Sequence, residues 1–213
     1  MVEAKNACPM IVRPYCGVRY GIDMPFGLSI LVLGESAYDC DCGTDGSLVD
    51  NLSELIIGHV FNNERAPSIN KAASVFYGGR QNAEQRQDFW RTAAFTNYVQ
   101  HNVGAVPRER PTNDQWEYAH AAFQQTLDEV KPQFVLVLGK ELWSREFQRD
   151  ECATQIMSIG AKTKPFCLRR HRSGSSFIFG INHPSSPGWA YAKWSPWVTV
   201  ALDEARCLHD RQG

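Results

Sequence analysis

The residues best suited to chemistry in this sequence follow short apolar runs. The first run, at 28–33, leads into Gly-Glu-Ser-Ala-Tyr at residues 34–38. A strand that breaks at a glycine and places a serine two residues later is the pattern of a nucleophile elbow, in which a strained turn exposes the serine. Ser36 with His183 as its base, and an acid between them in the chain, would form a catalytic triad in the order Ser, acid, His.

Two features weigh against that serine hydrolase. The elbow normally has a small residue two places beyond the serine, because strand and helix pack closely there, and Tyr38 occupies that place. No acidic residue stands at a predicted strand end between Ser36 and His183. The hydrolase is therefore kept as an alternative to the interpretation that follows.

Apolar runs and helical periodicity predict the elements that position these residues. The predicted strands are 28–33, 93–99, 134–138 and 176–181. The predicted helices are 50–61, 83–91, 112–130, 140–147 and 194–208. This alternation predicts a single α/β domain over residues 1–213, with its core at about 27–207. Its expected form is a three-layer α/β/α sandwich around a central, mostly parallel four-stranded sheet.

Ligands of such sheets bind beyond the carboxyl ends of the strands. Four polar segments stand at these predicted ends: residues 34–40 (GESAYDC), Thr96-Asn97, Gly139-Lys140 and residues 182–188 (NHPSSPG). Because the carboxyl ends of parallel strands share one edge of a sheet, we expect these segments to lie together.

Three of the segments, in this order, resemble the signature motifs of the uracil-DNA glycosylase superfamily. In that family the first motif reads Gly-Gln-Asp-Pro-Tyr or Gly-Glu-Ala-Pro-Gly, the middle strand carries an asparagine, and the last motif is His-Pro-Ser. The helix and strand at 111–143 also resemble the family's connection to its last motif. The resemblance spans about residues 27–207. It implies an enzyme that hydrolyses the N-glycosidic bond of a flipped-out uracil or modified base in DNA, without a metal or cofactor.

The resemblance also implies roles for individual residues. Asn97 would read the edge of a pyrimidine, because an amide offers a donor and an acceptor on one rigid fork. His183 would donate to an oxygen of the leaving base as the bond lengthens. Glu35 would supply negative charge and position water, with Asp39 as the reserve candidate. Tyr38 would close the pocket against a C5 methyl group.

Gly34 and Ser36 complete the implied base-binding segment. Ser36 stands where one branch of the family has a water-orienting aspartate, and a serine cannot accept a proton at neutral pH. This departure leaves a catalytically weak nucleic-acid-binding relative as an alternative. Residues 43–51 contain no aromatic ring to stack on the base. A wider pocket for modified pyrimidines of viral DNA, in antiviral defence rather than DNA repair, is therefore a further alternative.

DNA contacts are expected from the loop after the last predicted strand and from a basic cluster before it. The serines and the glycine of the loop would bind phosphate, and an aromatic side chain would wedge into the stack that a flipped base leaves. The predicted DNA-binding residues are Ser185, Ser186, Gly188, Trp189, Tyr191 and Arg170.

Composition restricts the class of protein less than the motifs do. The formal net charge of −1 gives no indication of a polyanionic partner. A net charge near zero is nevertheless compatible with a basic patch on one face of the protein. The N-terminus has no apolar signal core, and no run approaches the roughly 18 apolar residues of a membrane span. We therefore expect a soluble, cytoplasmic monomer. Seven cysteines, an odd number, favour reduced thiols.

Overall fold

A computed structural model describes residues 12–37, 52–62, 67–101, 103–104, 109–148 and 153–211. Within these ranges seven strands form one sheet: β1 (Tyr15–Cys16), β2 (Ile30–Gly34), β3 (Ala93–Asn97), β4 (Phe134–Leu138), β5 (Ala153–Ile159), β6 (Lys162–His171) and β7 (Gly174–Ile181). The helices are α1 (Leu52–Phe61), α2 (Pro67–Tyr77), α3 (Ala83–Thr92), α4 (Asn113–Val130), α5 (Lys140–Leu142) and α6 (Tyr191–Asp210). A π-helical turn, Trp143–Phe147, continues α5. Over the described ranges, no helix combines the length and the apolar character needed to cross a lipid bilayer.

The predicted fold class was wrong about the sheet. The strand order is β1-β3-β2-β4-β7-β6-β5. The ladders β3/β2, β2/β4 and β4/β7 are parallel, whereas β1/β3, β7/β6 and β6/β5 are antiparallel. The described chain is therefore a mixed α/β fold with a seven-stranded mixed sheet, and not a sandwich around four mostly parallel strands.

The difference arises mainly from β5 and β6, whose sequences lack an apolar strand pattern. In β6 (KTKPFCLRRH) only Phe166 and Cys167 are buried, so the segment has the composition of a solvated basic loop. Two-residue turns connect β5 to β6 and β6 to β7. Gly160 in the first turn has a φ of 57°, which glycine adopts without steric cost. Such short turns join antiparallel neighbours, because a parallel crossover needs a much longer connection.

The core lies on both faces of the sheet, because the central strands are apolar throughout. Every residue of β2 and β4 is buried, as is typical of strands covered on two sides. Ile30 and Val32 pack with residues of α1, α2, α3 and α6. Leu31 and Leu33 point to the other face and pack with α4 and the π-helical turn. The helices on both faces therefore hold the carboxyl ends of the parallel strands in fixed positions.

Cys167 is disulfide-bonded, with a partner outside the described residues. The expectation of reduced thiols was therefore wrong for this residue, whereas Cys16 and Cys207 are free.

Gly180 of β7 allows Trp143 to pack directly against the strand. A Cβ atom at this position would lie 2.5 Å from Cδ2 and Cε3 of the Trp143 ring. We expect Gly180→Ala to lower the free energy of unfolding by about 1–3 kcal/mol, because the packed ring must move. Equilibrium denaturation in urea measures this change.

Gly58→Ala is the matched control for that substitution. Gly58 lies inside α1, and nothing approaches within 4 Å of its Cβ position. Alanine there should raise the free energy of unfolding by about 0.5–1 kcal/mol, because it reduces the freedom of the unfolded chain. Changes of the same sign in the two variants would contradict the packing argument.

Candidate functional site

The carboxyl ends of the four parallel strands meet at one edge of the sheet. Gly34 of β2 lies opposite Asn97 of β3. The backbone N–H of Gly139, after β4, donates to the carbonyl oxygen of Ile181 in β7 at 2.9 Å. His183 follows two residues later. We call the polar group at this edge the strand-end site, which comprises Gly34, Glu35, Asn97, Arg110 and His183.

Glycine at position 34 leaves the space that the Asn97 side chain occupies. A Cβ atom on residue 34 would lie 2.2 Å from Oδ1 of Asn97. The Asn97 amide could not keep its position beside any larger residue. The glycine after the first apolar run therefore positions the asparagine of the neighbouring strand.

Glu35 is a largely buried carboxylate held by an arginine and by the last residue of α5. The side chain is 14% exposed, and its Oε1 accepts a hydrogen bond from Nη1 of Arg110 at 2.7 Å. The same Nη1 lies 3.0 Å from Oε2 of Glu141. Burial raises the pKa of Glu35, and the Arg110 charge and a hydrogen bond from the Leu142 backbone oppose this rise. The arginine therefore offsets part of the effect of burial and of the neighbouring Glu141 charge, although the pKa of Glu35 stays above its ordinary value.

His183 is held by the residues that immediately follow it. The backbone N–H of Ser185 donates to Nδ1 of His183 at 3.2 Å, and the Ser185 hydroxyl lies 2.6 Å from the same nitrogen. Because an N–H donates to Nδ1, that nitrogen is the unprotonated one, and the neutral ring carries its proton on Nε2. Burial and the Arg110 charge lower the pKa of His183, so the ring is neutral at physiological pH. The Nε2–H is then the donor that His183 offers to a ligand.

Arg110 links the two sides of the strand-end site. Its charge lowers the pKa of both Glu35, after β2, and His183, after β7. The guanidinium is therefore within electrostatic reach of both groups. Sequence reasoning missed Arg110, because an arginine in the loop before α4 belongs to no motif.

Removal of the Arg110 charge should raise the pKa of His183. In the wild type we expect this pKa below its ordinary value of about 6.5, and in Arg110→Gln we expect it higher, because one of the two causes that lower it is gone. An NMR titration of the histidine ring protons measures both values. His171 provides the control in the same spectra, because Arg110 is not among the charges that act on it. Equal shifts of the two histidines would contradict this electrostatic link.

The loop after His183 is anchored on α2. Nζ of Lys71 donates to the carbonyl oxygen of Pro184 at 3.1 Å and lies 5.9 Å from the centre of the Trp189 ring. Nε1 of Trp189 donates to the carbonyl oxygen of Asn182 at 2.9 Å. Trp189 therefore holds the loop closed, whereas Tyr191, 37% exposed, is the freer aromatic ring. Lys71 is a second residue that sequence reasoning missed.

The other residues of the loop remain accessible. Ser185 and Gly188 are exposed and Ser186 is half-buried. Gly188 has a φ of 69°, a conformation that favours glycine. These residues stay candidates for contact with a ligand, at the edge of the sheet that carries His183.

The structure does not bring Arg170 to this edge. Arg170 pairs with Ser175 at the beginning of β7, whereas His183 follows the end of that strand. The two residues are therefore separated by most of the length of β7. Arg170 was predicted to bind DNA because it belongs to a basic cluster before the last predicted strand, but the antiparallel course of β6 carries it to the opposite edge.

The surroundings of Ser36 do not form a nucleophile elbow. An elbow passes from strand directly into helix, but residues 35–37 are not helical, and Ala37 forms a β-bridge. Among the described residues, His183 is hydrogen-bonded to Ser185 rather than to Ser36. Tyr38 and Asp39, predicted to line the same site, lie outside the described residues.

Two of the surface cavities that the described residues form are lined by neither Asn97 nor His183. One lies at the opposite edge of the sheet, beside His171 and His209. The other lies between the β5–β6 hairpin and α6, beside three lysines. Within the described ranges, no group of three His, Cys, Asp or Glu side chains could hold a metal ion.

No protein-family model matches the sequence, and no curated protein matches it significantly. The chemistry of the strand-end site therefore carries the functional proposal.

Proposed function

We propose that the protein is a DNA glycosylase that hydrolyses the N-glycosidic bond of a flipped-out uracil or modified base and leaves an abasic site. The observation that carries the proposal is the presence of an amide, a carboxylate and a neutral imidazole at one edge of the sheet: Asn97, Glu35 and His183. The proposal includes action as a cytoplasmic monomer without a metal or cofactor.

The neutral ring of His183 supports the departure of the base. As the glycosidic bond lengthens, a pyrimidine gains negative charge on its ring oxygens, and a hydrogen-bond donor placed there stabilises the transition state. The Ser185 backbone directs the proton of His183 to Nε2. The proton that His183 would donate is therefore already on Nε2 before the substrate binds.

Asn97 supports recognition of the base. The strand order places two strands between Asn97 and His183, which separates their backbones by about 14 Å at the usual strand spacing. An extruded base that entered this gap would meet the amide of Asn97 on one side and the imidazole of His183 on the other. The absence of a side chain at Gly34 leaves the space that the amide occupies.

Glu35 supports the attack of water on the sugar. The sugar develops positive charge as the base leaves, and an ionised carboxylate nearby stabilises that charge and orients a water molecule. Ser36 cannot supply this charge. The ion pair with Arg110 favours the ionised form of Glu35 that the step requires.

An oligonucleotide assay tests the proposal. End-labelled single- and double-stranded oligonucleotides carrying one uracil, hypoxanthine, mismatched thymine or modified cytosine are incubated with the protein, and alkali then cleaves abasic sites. We expect breaks at one type of base, and none there with His183→Ala. Retention of DNA without breaks at any base would overturn the glycosylase in favour of a binding protein. Esterase activity that a serine-directed phosphonate blocks would favour a hydrolase.

A further inference from the structure

Positive charge is concentrated in one part of the chain. Residues 153–202 contain six Lys and Arg and no Asp or Glu, whereas the rest of the chain carries 16 Lys and Arg against all 23 acidic residues. The acid-free segment includes β5, β6, β7, the loop with His183 and the first half of α6. An overall charge near zero therefore hides a basic region beside the strand-end site.

A cavity lies within this region, between the β5–β6 hairpin and the start of α6. Its volume is about 620 Å³, and its lining includes the side chains of Lys162, Lys164, Lys193, Pro196 and Trp197. We call it the lysine cavity. Its wall combines three ammonium groups with a proline and a tryptophan, and the cavity has no acidic lining residue.

Two tryptophans contact two of the three ammonium groups. Nζ of Lys164 lies 4.8 Å from the centre of the Trp194 ring and 5.5 Å from that of Trp197, and Nζ of Lys193 lies 6.0 Å from Trp194. Such contacts attract the ammonium group to the face of the ring. Among the described residues, none of the three lysines of the cavity forms an ion pair with a carboxylate.

The charges in the cavity repel one another. Burial and the neighbouring charge of Lys193 lower the pKa of Lys164. A bound anion would offset this repulsion, because it would supply the negative charge that the lining lacks. The arrangement therefore favours an anionic ligand large enough to contact several ammonium groups.

The lysine cavity lies at the same edge of the sheet as His183. Because β6 and β7 run antiparallel, the beginning of β6 points toward the edge of the sheet at which β7 ends. Helix α6 begins eight residues after His183. The hairpin and the helix that form the cavity therefore flank the loop that carries the histidine.

We propose that the lysine cavity binds backbone phosphates of the DNA strand next to the extruded nucleotide. This inference rests on the proposed function, and it adds a surface that recognises the strand without reading its sequence. Phosphodiesters fit the cavity because they carry one negative charge per nucleotide, so that one strand can neutralise several lysines at once.

Binding of a uracil-free, fluorescently labelled 20-nucleotide single strand tests this inference. The test variant is Lys162→Gln combined with Lys193→Gln, because both side chains are exposed and Lys164, packed on the tryptophans, is left in place. Loss of two phosphate contacts should reduce the slope of log Kd against log salt by about 1.4. At 0.1 M salt the same loss should raise Kd by about 10- to 30-fold.

Arg170→Gln is the matched control. Arg170 lies in the acid-free segment and on β6, as Lys162 does, but at the other end of the strand. We expect its slope and its Kd to stay within about twofold of wild type, and all variants to keep the thermal unfolding midpoint of the wild type. Equal effects of the control and the lysine variant would overturn the cavity as the phosphate site.

Excision assays on the same proteins separate this inference from the proposed function. Excision by the wild type together with unchanged DNA binding by the lysine variant would overturn only the lysine cavity. Lysine-dependent binding without excision of any base would overturn the glycosylase and leave the phosphate-binding surface standing.

Discussion

Replacement of His183 by alanine is expected to lower the rate of base excision by about 10²- to 10³-fold, the effect of removing one donor from a developing negative charge. The expectation follows from the hydrogen bond of the Ser185 backbone to Nδ1, which leaves Nε2–H as the donor of a neutral ring. Single-turnover rates with the preferred oligonucleotide measure the chemical step directly. Binding of an oligonucleotide without the target base should change little.

His171→Ala is the matched control for this experiment. His171 accepts a hydrogen bond on Nδ1 from the backbone N–H of Ser173, two residues later, as His183 does from Ser185. Burial also lowers its pKa. His171 lies at the opposite edge of the sheet, so its loss should leave excision unchanged. Similar losses in both variants would point to a general effect on the fold and would remove the catalytic role of His183.

Gly34→Ala is expected to reduce excision about as strongly as Asn97→Ala. The added Cβ would occupy the place of Asn97 Oδ1, 2.2 Å away, and the short side chain of Asn97 can rotate to avoid it. The free energy of unfolding should therefore change by less than about 1 kcal/mol, while the amide is displaced from the base. Positioning errors of about 1 Å can cost roughly 100-fold in rate.

A double-mutant cycle distinguishes this steric effect from a direct role of Gly34. In an Asn97→Ala background the clash is absent, so Gly34→Ala should cause little further loss of excision. Additive losses in the double variant would show that position 34 acts independently of Asn97. Urea denaturation of all four proteins confirms that the comparison is made between folded molecules.

The central strands could be predicted from sequence because burial on both faces makes them apolar at every position. β4 was predicted and observed at the same bounds, and α4, predicted at 112–130, is observed at Asn113–Val130. The antiparallel strands could not be predicted in this way. In β6 only two adjacent residues, Phe166 and Cys167, are buried, and basic residues flank them. The pairing of β6 with β7 depends on a two-residue turn rather than on an apolar pattern.

The candidate site was predictable to the extent that its residues stand at strand ends. Asn97 and His183 were found because they end or follow apolar runs. Arg110 was missed, because its contact with Glu35 joins residues 75 positions apart and leaves no local pattern. Arg170 was assigned to the wrong edge, because the position of a residue along a hairpin depends on strand direction, which its neighbours in sequence do not reveal.

The two kinds of strand connection have a consequence for how the molecule folds. The β5–β6–β7 hairpins close over two-residue turns and can form early, because local contacts cost little chain entropy. The strand-end site instead requires pairings between β2, β3 and β4 that close loops of many tens of residues. Its geometry is therefore completed only after these slow, non-local steps. Recovery of the proposed base excision during refolding would therefore follow formation of the β5–β6–β7 hairpins and would report completion of the native topology.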